Sequence, residues 1–525
     1  MHLIFRVCAA AALLLWANAA LPAKEIALYH TSDIHGYYFA RPDTKGVPFG
    51  GFAALEGVLQ NEQRPFLLLD SGDFSSGNRE ANASNGKYSV DLMNRAGKSR
   101  CNAKGAGYAA LTIGNHDSDF GDERLGKTLS GFQGDILSAN IEGFSVPGKE
   151  VKPFAIYETG EEKIAVIGFS LDGPGMRGMK LRRLTTADWE ALLDRVMQEK
   201  PNAVILLAHD SAADARKPSS LLPVLQNTSA RTRIHLFLGG HAHILNNGRQ
   251  WGENGPLFVE SGSMLEGVSR IVLDFDDKTR ALRSVHAEYV PLSGQNARQD
   301  AATAALLDSI EDKTLRQPYA YVPALLPKYP APGDAAPALA RRVAQQMYLW
   351  TAEKEPVDFA MFQLPGIRRD LLPGPLTGRD MAELLPYTEY VSTFDITGKH
   401  LKQAMAASIR RDGKGDYSLF AYSENVKITY KYNAKNKKHP VKITSVRING
   451  QKVKNKRIYR VAAIAHIPQG YFEGAPFKVS DGRQKIYEER TSGQVLFDYV
   501  SGLPGNTPQE KLLTAPQGIQ IRKLN

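Results

Sequence analysis

From Glu25 to about Val290 one local pattern recurs: a short apolar, β-branched run followed at once by Gly, Asp, Asn or His. The runs are Ile26 to His30, Phe66 to Leu69, Ala109 to Ile113, Ile164 to Ile167, Ala203 to Ala208 and Ile234 to Leu238. Continuous apolar runs of this length predict strands covered on both faces, with the polar clusters in loops at their C-terminal ends. Helical spacing lies between them, at Phe52 to Gln60 and Thr186 to Glu199. Strands alternating with helices predict an α/β domain that binds its ligand at strand ends.

Downstream the pattern changes. Asp300 to Leu315 is rich in Ala and Leu and predicts a helix, and Pro323 to Pro337 carries five prolines, which suits a connection between domains. Ala338 to Thr351 has the spacing of an amphipathic helix. Val357 to Asn525 mixes strands and helices and includes a Lys-rich segment, Lys427 to Arg460, that reads as β-hairpins with a basic solvent face. A chain of 525 residues predicts two or three domains.

The N-terminus reads as a secretory signal over residues 1–23. His2 and Arg6 precede the apolar run Val7 to Trp16, and small residues follow at Ala17, Ala19, Ala20 and Ala23. The run is short for a bilayer span, and no later segment has 18 consecutive apolar residues, so the mature chain is expected to lack a membrane span and to be periplasmic or secreted. Cys8 leaves with the signal and Cys101 stays as a lone thiol, expected to be buried and inert, which excludes a disulfide scaffold.

Composition is that of a folded protein, 43% hydrophobic and 23% charged. Lys and Arg total 65 against 55 for Asp and Glu; the resulting +10 suits an anionic partner without identifying one.

Five loops, each directly after a predicted strand, carry the candidate chemistry: Asp33-Ile34-His35, Gly72-Asp73, Gly114-Asn115-His116-Asp117, Ala208-His209-Asp210 and Gly240-His241-Ala242-His243. Carboxylate, imidazole and amide oxygen without cysteine are the ligand set for divalent Mn, Zn, Fe or Mg rather than for structural zinc. Asp33, His35, Asp73, Asn115, His209, His241 and His243 make seven ligands, too many for one ion that must also bind substrate. Two ions sharing Asp73, roughly 3.5–4 Å apart, would use them and leave positions open, an arrangement suited to in-line phosphoester hydrolysis. His116 remains to stabilise transition-state charge or protonate the leaving oxygen, with Asp119 three residues on to hold its tautomer. The other seven of the twelve histidines, His2, His30, His235, His286, His400, His439 and His466, read as structural.

The stretches TSDIHG at 31–36, DSGDFSSG at 70–77, IGNHDSDFG at 113–121, LLAHDS at 206–211 and GGHAH at 239–243 resemble the metallophosphoesterase superfamily. More closely, the chain is similar to the bacterial secreted 5′-nucleotidase and UDP-sugar hydrolase family. The resemblance implies a four-layer α/β/β/α catalytic domain with two metals, followed by a smaller mixed α+β substrate-binding domain. One metal would take Asp33, His35, Asp73 and His243, the other Asp73, Asn115, His209 and His241, with His116 and Asp119 as the catalytic dyad. The family usually has Glu where this chain has Asp117, a change expected not to touch a ligand.

In the second half, Leu364-Pro365-Gly366-Ile367-Arg368-Arg369 resembles the family's phosphate-binding Gly-Gly-Ile-Arg motif, with Arg368 the matching arginine. The stretch Leu376 to Met405, including Pro386-Tyr387, is also family-like, and Phe420 falls where one base-stacking aromatic is expected. The family's Gly-Gly-Asp-Gly loop is replaced by His466 to Phe472, which leaves Tyr471 or Phe472 as the second aromatic, or both as core.

The expected organisation is residues 1–23 as signal, 24–324 as catalytic domain, 325–355 as linker and connecting helix, along which the second domain would rotate, and 356–525 as substrate-binding domain. The expected function is removal of phosphate from 5′-nucleotides by a secreted enzyme with two divalent metals, UDP-sugars being a further substrate class. A 2′,3′-cyclic nucleotide phosphodiesterase or sulfur-compound hydrolase on the same scaffold is the alternative, and a nucleotide binder without turnover the non-enzymatic one. Tyr430, Tyr432 and Tyr459 interleave with the basic residues of Lys427 to Arg460 as in a single-strand binder, but such a run more often forms a solvated face, and no specific nucleic acid is expected.

Overall fold

A computed structural model describes residues 25–43, 46–99, 101–170, 179–211, 221–250, 255–294, 298–412, 415–436, 438–470, 472–479 and 484–524. The expected signal, 1–23, and the candidate aromatic Tyr471 lie outside them.

The first half builds two sheets in chain order. Strands β1 (Glu25–Thr31), β2 (Phe66–Asp70), β3 (Ala110–Leu111), β4 (Asp135–Leu137) and β5 (Val151–Lys152) run parallel in one. Then β6 (Phe154–Thr159), β7 (Glu162–Phe169), β8 (Ala203–Ala208), β9 (Leu236–Gly239), β10 (Leu245–Gln250) and β11 (Leu257–Ser261) form the second, in the order β10-β11-β9-β8-β7-β6. The chain returns to the first sheet with the antiparallel pair β12 (Gly267–Phe275) and β13 (Leu282–Pro291), giving β13-β12-β1-β2-β3-β4-β5. All six predicted runs contain strands. The β12–β13 pair was not anticipated; its side chains alternate in burial, so it lacks the continuous apolar run that marks a strand covered on both faces.

Helices α1 (Phe52–Leu59), α2 (Lys87–Arg95), α3 (Asp122–Leu129), α4 (Thr186–Gln198) and α5 (Ala301–Ile310) complete the domain. The period-2 alternation of each strand assigns its faces. Ile26, Leu28, Leu67 and Leu69 of the first sheet pack against Ile164, Val166, Ile205, Leu207, Leu236 and Leu238 of the second. Their neighbours Ala27, Tyr29, Phe66 and Leu68 turn outward onto α1, α2, α3 and α5. On the far side Ala165, Ile167, Val204, Leu206 and Phe237 cover Trp189, Leu192, Leu193 and Val196 of α4. The result is helix, sheet, sheet, helix, and each buried Leu or Ile contributes about 1.5–3 kcal/mol. Cys101, half-buried, packs against the outer core.

The second domain has a separate core. Its elements are α6 (Ala338–Ala352), β14 (Phe359–Gln363), α7 (Gly378–Leu384), β15 (Tyr390–Thr397), α8 (Gly398–Ser408), β16 (Phe420–Tyr422), β17 (Val426–Tyr432), β18 (Val441–Ile448), β19 (Gln451–Lys452), β20 (Ile458–Ile464), β21 (Lys485–Thr491), α9 (Ser492–Ser501) and β22 (Ile521–Lys523). A mixed sheet β16-β14-β20-β15-β21 packs beside a four-stranded sheet β19-β18-β17-β22. Within the expected connection at 325–355, α6 packs with the second domain. Leu339, Ala340, Val343, Ala344 and Met347 of α6 sit in the second core with Ala320, Val322 and Leu326, and Pro318–Val322 pairs with Gly374–Thr377. An amphipathic helix must bury its apolar stripe, and α6 buries it in the core that β14 also enters.

The Lys-rich segment forms the hairpin β17–β18 followed by β19 and β20. Lys427 lies opposite Arg447, Lys431 opposite Lys442, and Arg447 opposite Lys452, all exposed. Tyr430 and Tyr459 point the other way and are buried, so these rings are not available on the basic face for base stacking.

Between the sheet and α1, the Glu62 carboxylate accepts from Arg270 Nε at 2.7 Å, Tyr29 Oη at 3.0 Å and Arg64 Nη1 at 3.1 Å. Burial raises its pKa, but the Arg270 and main-chain donors outweigh this and hold it at about 2. A depressed carboxylate stabilises the fold above its unfolded value and loses that contribution as pH falls through the folded one. Unfolding free energy should therefore drop between about pH 4.5 and 2, and Glu62→Gln should remove on the order of 3 kcal/mol at pH 7 and flatten that slope. Urea titrations of both proteins at stepped pH read this directly; equal slopes would refute it.

Candidate metal centre and active site

The loops after β1, β2 and β3 on one sheet and after β8 and β9 on the other meet at a common edge. They bring together all seven expected ligands. Asp33, His35, Asp73, Asn115 and His209 are buried to 4% exposure or less, and His243 is 22% exposed. Asp33, His35, Asp73, His241 and His243 adopt left-handed backbone, with φ of 51°, 49°, 58°, 74° and 57°. Such conformations cost on the order of 1–3 kcal/mol each for non-glycine residues and persist where the surroundings over-determine them. The loops are bent to aim side chains inward rather than to shorten a connection.

Two groups of donor atoms result. His35 Nε2 lies 3.1 Å from His243 Nε2, and His243 Nε2 lies 3.2 Å from Asp33 Oδ1. His209 Nε2 lies 3.1 Å from Asn115 Oδ1, which lies 2.9 Å from His241 Nδ1. Asp73 Oδ2 sits between, 3.2 Å from His209 Nε2 and 3.8 Å from His35 Nε2. His35 Nδ1 donates to Ser76 O at 3.1 Å and His209 Nδ1 to Ser71 O at 2.7 Å, which leaves both Nε2 atoms as lone pairs facing other acceptors. Lone pairs converging this closely are repulsive without a cation, so the donor set fits divalent metal. The Asp33, His35, His243 and Asp33, Asp73, His209 groups each place ligand atoms within 4.8 Å of one another. Without a cation, burial opposes the charged form of His209 but the Asp73 carboxylate lifts it to about 10, so a proton on Nε2 takes the place that a metal would otherwise fill.

Backbone contacts explain how the carboxylates hold position. Asp73 Oδ1 accepts the His116 N–H at 2.7 Å, and Asp33 Oδ2 accepts the His241 N–H at 3.0 Å. A Cβ on Gly114 would lie 2.2 Å from Asp73 Oδ1, so only glycine admits that carboxylate. The Asp117 carboxylate accepts the N–H groups of Asp73, Phe74, Ser75 and Gly114 at 2.8–3.0 Å. Burial and the Asp73 charge push Asp117 up to about 7, against these donors. His30, read as structural, is clamped below between Ser71 and Ser261 at 2.7 Å each, and burial pushes it down to about 3.

His116 Nδ1 donates to Asp119 Oδ2 at 2.9 Å, leaving Nε2 directed away from the carboxylate. Burial lowers the imidazole pKa, but Asp119 more than compensates, and the net shift is upward. Arg368 of the second domain reaches in, its Nη2 3.3 Å from both ring nitrogens of His243. Phe420 does not join this site: it is fully buried in the second core, edge-on to Phe477 at 5.0 Å. One neighbour escaped sequence reasoning. Tyr387 stacks on His116 with ring centroids 4.9 Å apart and 19° between planes. Pro386-Tyr387 carries no local signature of this, because the contact is made across the domain interface.

Residues 26–245 match the family model of calcineurin-like phosphoesterases, and residues 335–476 that of the 5′-nucleotidase C-terminal domain. UshA of Yersinia enterocolitica is 22% identical over 490 residues, covering 84% of each chain. NAD 5′-nucleotidase of Haemophilus influenzae is 24% identical over 469 residues, covering 73% of each. Among solved structures, a 5′-nucleotidase precursor of Thermus thermophilus superposes with a TM-score of 0.76 at 18% identity, covering 95% of this chain and 99% of that one. The sulfate thiohydrolase SoxB of Thermus thermophilus does so with 0.71 at 16%, covering 95% and 96%. With one family model on each domain and, on the first, a buried cluster of side chains able to hold metal, the chain belongs to the calcineurin-like phosphoesterases of the 5′-nucleotidase type and is a metal-dependent phosphoester hydrolase.

Proposed function

We propose that the chain is an exported enzyme that removes phosphate from 5′-nucleotides, using two divalent ions that share Asp73. The observation carrying this is the meeting of two donor groups across Asp73 with an arginine of the second domain at their rim. Relatives named as 5′-nucleotidases over most of the chain support the substrate class. Export rests on the signal pattern of residues 1–23, and no helix of the described residues is long and apolar enough to cross a membrane.

Asp33, His35, Asp73 and His243 would hold one ion, and Asp73, Asn115, His209 and His241 the other. When bound, such a pair neutralises phosphoryl oxygens and lowers the pKa of an attacking water. The protein's own groups do the rest. Arg368, a guanidinium held charged in a buried site, grips the phosphoryl group through a two-pronged fork. His116, its Nδ1–H bonded to Asp119 and its protonated form favoured by that carboxylate, presents Nε2–H to the leaving oxygen and donates that proton as the nucleoside departs. Base recognition draws on residues other than Phe420, whose ring is taken up by the core.

Two measurements test this. Protein purified from a periplasmic fraction should start after residue 23, bind two equivalents of metal, and release phosphate from AMP or UMP with Mn, losing that activity to EDTA. A panel adding UDP-sugars, 2′,3′-cyclic nucleotides and thiosulfonate esters defines the range; no phosphate from any 5′-nucleotide would sink the proposal. Separately, Asp119→Asn should lower kcat by about 10–100-fold, the value of one hydrogen bond to a charged group, with metal content unchanged. Asp73→Asn should lose metal.

A further inference from the structure

Tyr387 lies in the loop between α7 and β15, on the second domain. Its ring is half-buried and packed parallel to the His116 imidazole, and the Arg368 guanidinium carbon lies 5.3 Å from its centroid. The loop is fixed from both domains: Asn82 Nδ2 of the catalytic domain donates to Pro386 O at 3.0 Å, and Glu389 N donates to Tyr387 O at 3.0 Å. The hydroxyl oxygen is shielded from solvent and has no hydrogen-bond partner among the described residues. A buried donor with no partner costs stability. A chain that keeps one beside its catalytic imidazole and its phosphate-facing arginine has placed a donor for something that arrives. Phenylalanine would pack the same stack without that cost.

We propose that the Tyr387 hydroxyl donates a hydrogen bond to a non-bridging oxygen of the substrate's phosphoryl group, completing with Arg368 an anion-binding pair contributed by the second domain, while its ring fixes the plane of His116. The chemistry suits the task. The phenol is protonated at neutral pH in its ordinary state, and burial pushes it further up, so it serves as a donor without titrating. Donors aimed where charge gathers are worth more in a shielded site than in water, because they need no reorganisation. The recognised chemistry is a tetrahedral oxyanion, so inorganic phosphate is a sufficient probe. The ligand is thereby assembled from two domains, the metals from the first and the donor pair from the second.

This rests on the phosphohydrolase reading but not on the identity of the alcohol that leaves. The test compares Tyr387→Phe with wild type in kcat/KM on p-nitrophenyl phosphate and on AMP, in inhibition by inorganic phosphate, in metal content and in Tm. Tyr387→Phe is expected to lose roughly 10–100-fold in kcat/KM on both esters, the value of one hydrogen bond to a charged acceptor. Phosphate inhibition should weaken by about tenfold or more on the same ground, with metal content unchanged and Tm equal or higher. Tyr387→Leu, which also removes the stack, should lose more in kcat than Tyr387→Phe. Wild-type phosphate inhibition and kcat/KM in Tyr387→Phe would overturn the proposal, as would a lowered Tm accompanying the loss, because the hydroxyl would then have a structural partner. If wild type cleaves p-nitrophenyl phosphate but no nucleotide, the nucleotidase reading fails while a Tyr387→Phe defect still upholds this one.

Discussion

A carboxylate at 1% exposure, such as Asp73, is held in place against a desolvation penalty of several kcal/mol. That penalty must be offset by partners at fixed positions, and here the offset is distributed. Oδ1 takes the main-chain N–H of His116, Oδ2 faces the imidazole of His209, and the space for the group exists because position 114 is glycine. The Asp73 amide is in turn held by Asp117, which ties the loop after β2 to the loop after β3. The His116 main chain, its neighbour Asn115 and the Asp73 carboxylate are thus tied into one unit. Misplacing any of these would leave a buried charge unpartnered, which costs more than the interaction gains.

The left-handed conformations at five candidate ligand positions have the same origin. A strand ending at the edge of a packed sheet sends its chain outward, whereas a ligand must turn back over the sheet end. The sheet-to-sheet core of Leu, Ile and Val beneath the loops supplies the rigidity that keeps these turns in place. Two sheets are needed because one edge could not present Asn115 and His209 to a common point: the first follows β3 and the second follows β8, on opposite sheets. The four-layer architecture is therefore the means of focusing two sets of strand ends, and strain at the site is affordable because the layers are not.

Legibility in the sequence followed this division. Parallel strands buried on both faces write themselves as unbroken apolar runs, so β1, β2, β8 and β9 and the loops behind them could be read directly, and the candidate ligands came from the chemistry of those loops. The antiparallel β12–β13 edge alternates and left no such mark. The stripe of α6 was readable as amphipathic, but a stripe does not name the core it joins, and the helix placed between domains belongs to the second. Phe420 shows the same limit from the other side: its position along the chain resembled a stacking aromatic, and burial against Phe477 is a property of packing that position cannot carry. Tyr387 was invisible as a site residue because its partner, His116, lies 271 positions away in another domain.

The second domain reaches the metal centre through contacts that are polar where they cross. Arg379 bridges Glu80 at 2.7 Å and Glu311 at 3.1 Å while its guanidinium covers the Phe39 ring at 4.4 Å, and Tyr37 donates to Glu383 O at 3.0 Å. Glu383 in turn holds Arg369 at 2.6 Å, next in sequence to Arg368. Arg368 is therefore registered against the candidate ligand loops by a relay of ion pairs and a hydrogen bond rather than by a shared apolar core. Polar interfaces between domains set geometry while staying separable, because water can replace their hydrogen bonds in a way it cannot replace buried Leu and Ile. Such an interface reconciles two demands on a phosphoester hydrolase: second-domain groups placed to within ångströms of the candidate metal ligands, and a path for a substrate to enter and its products to leave.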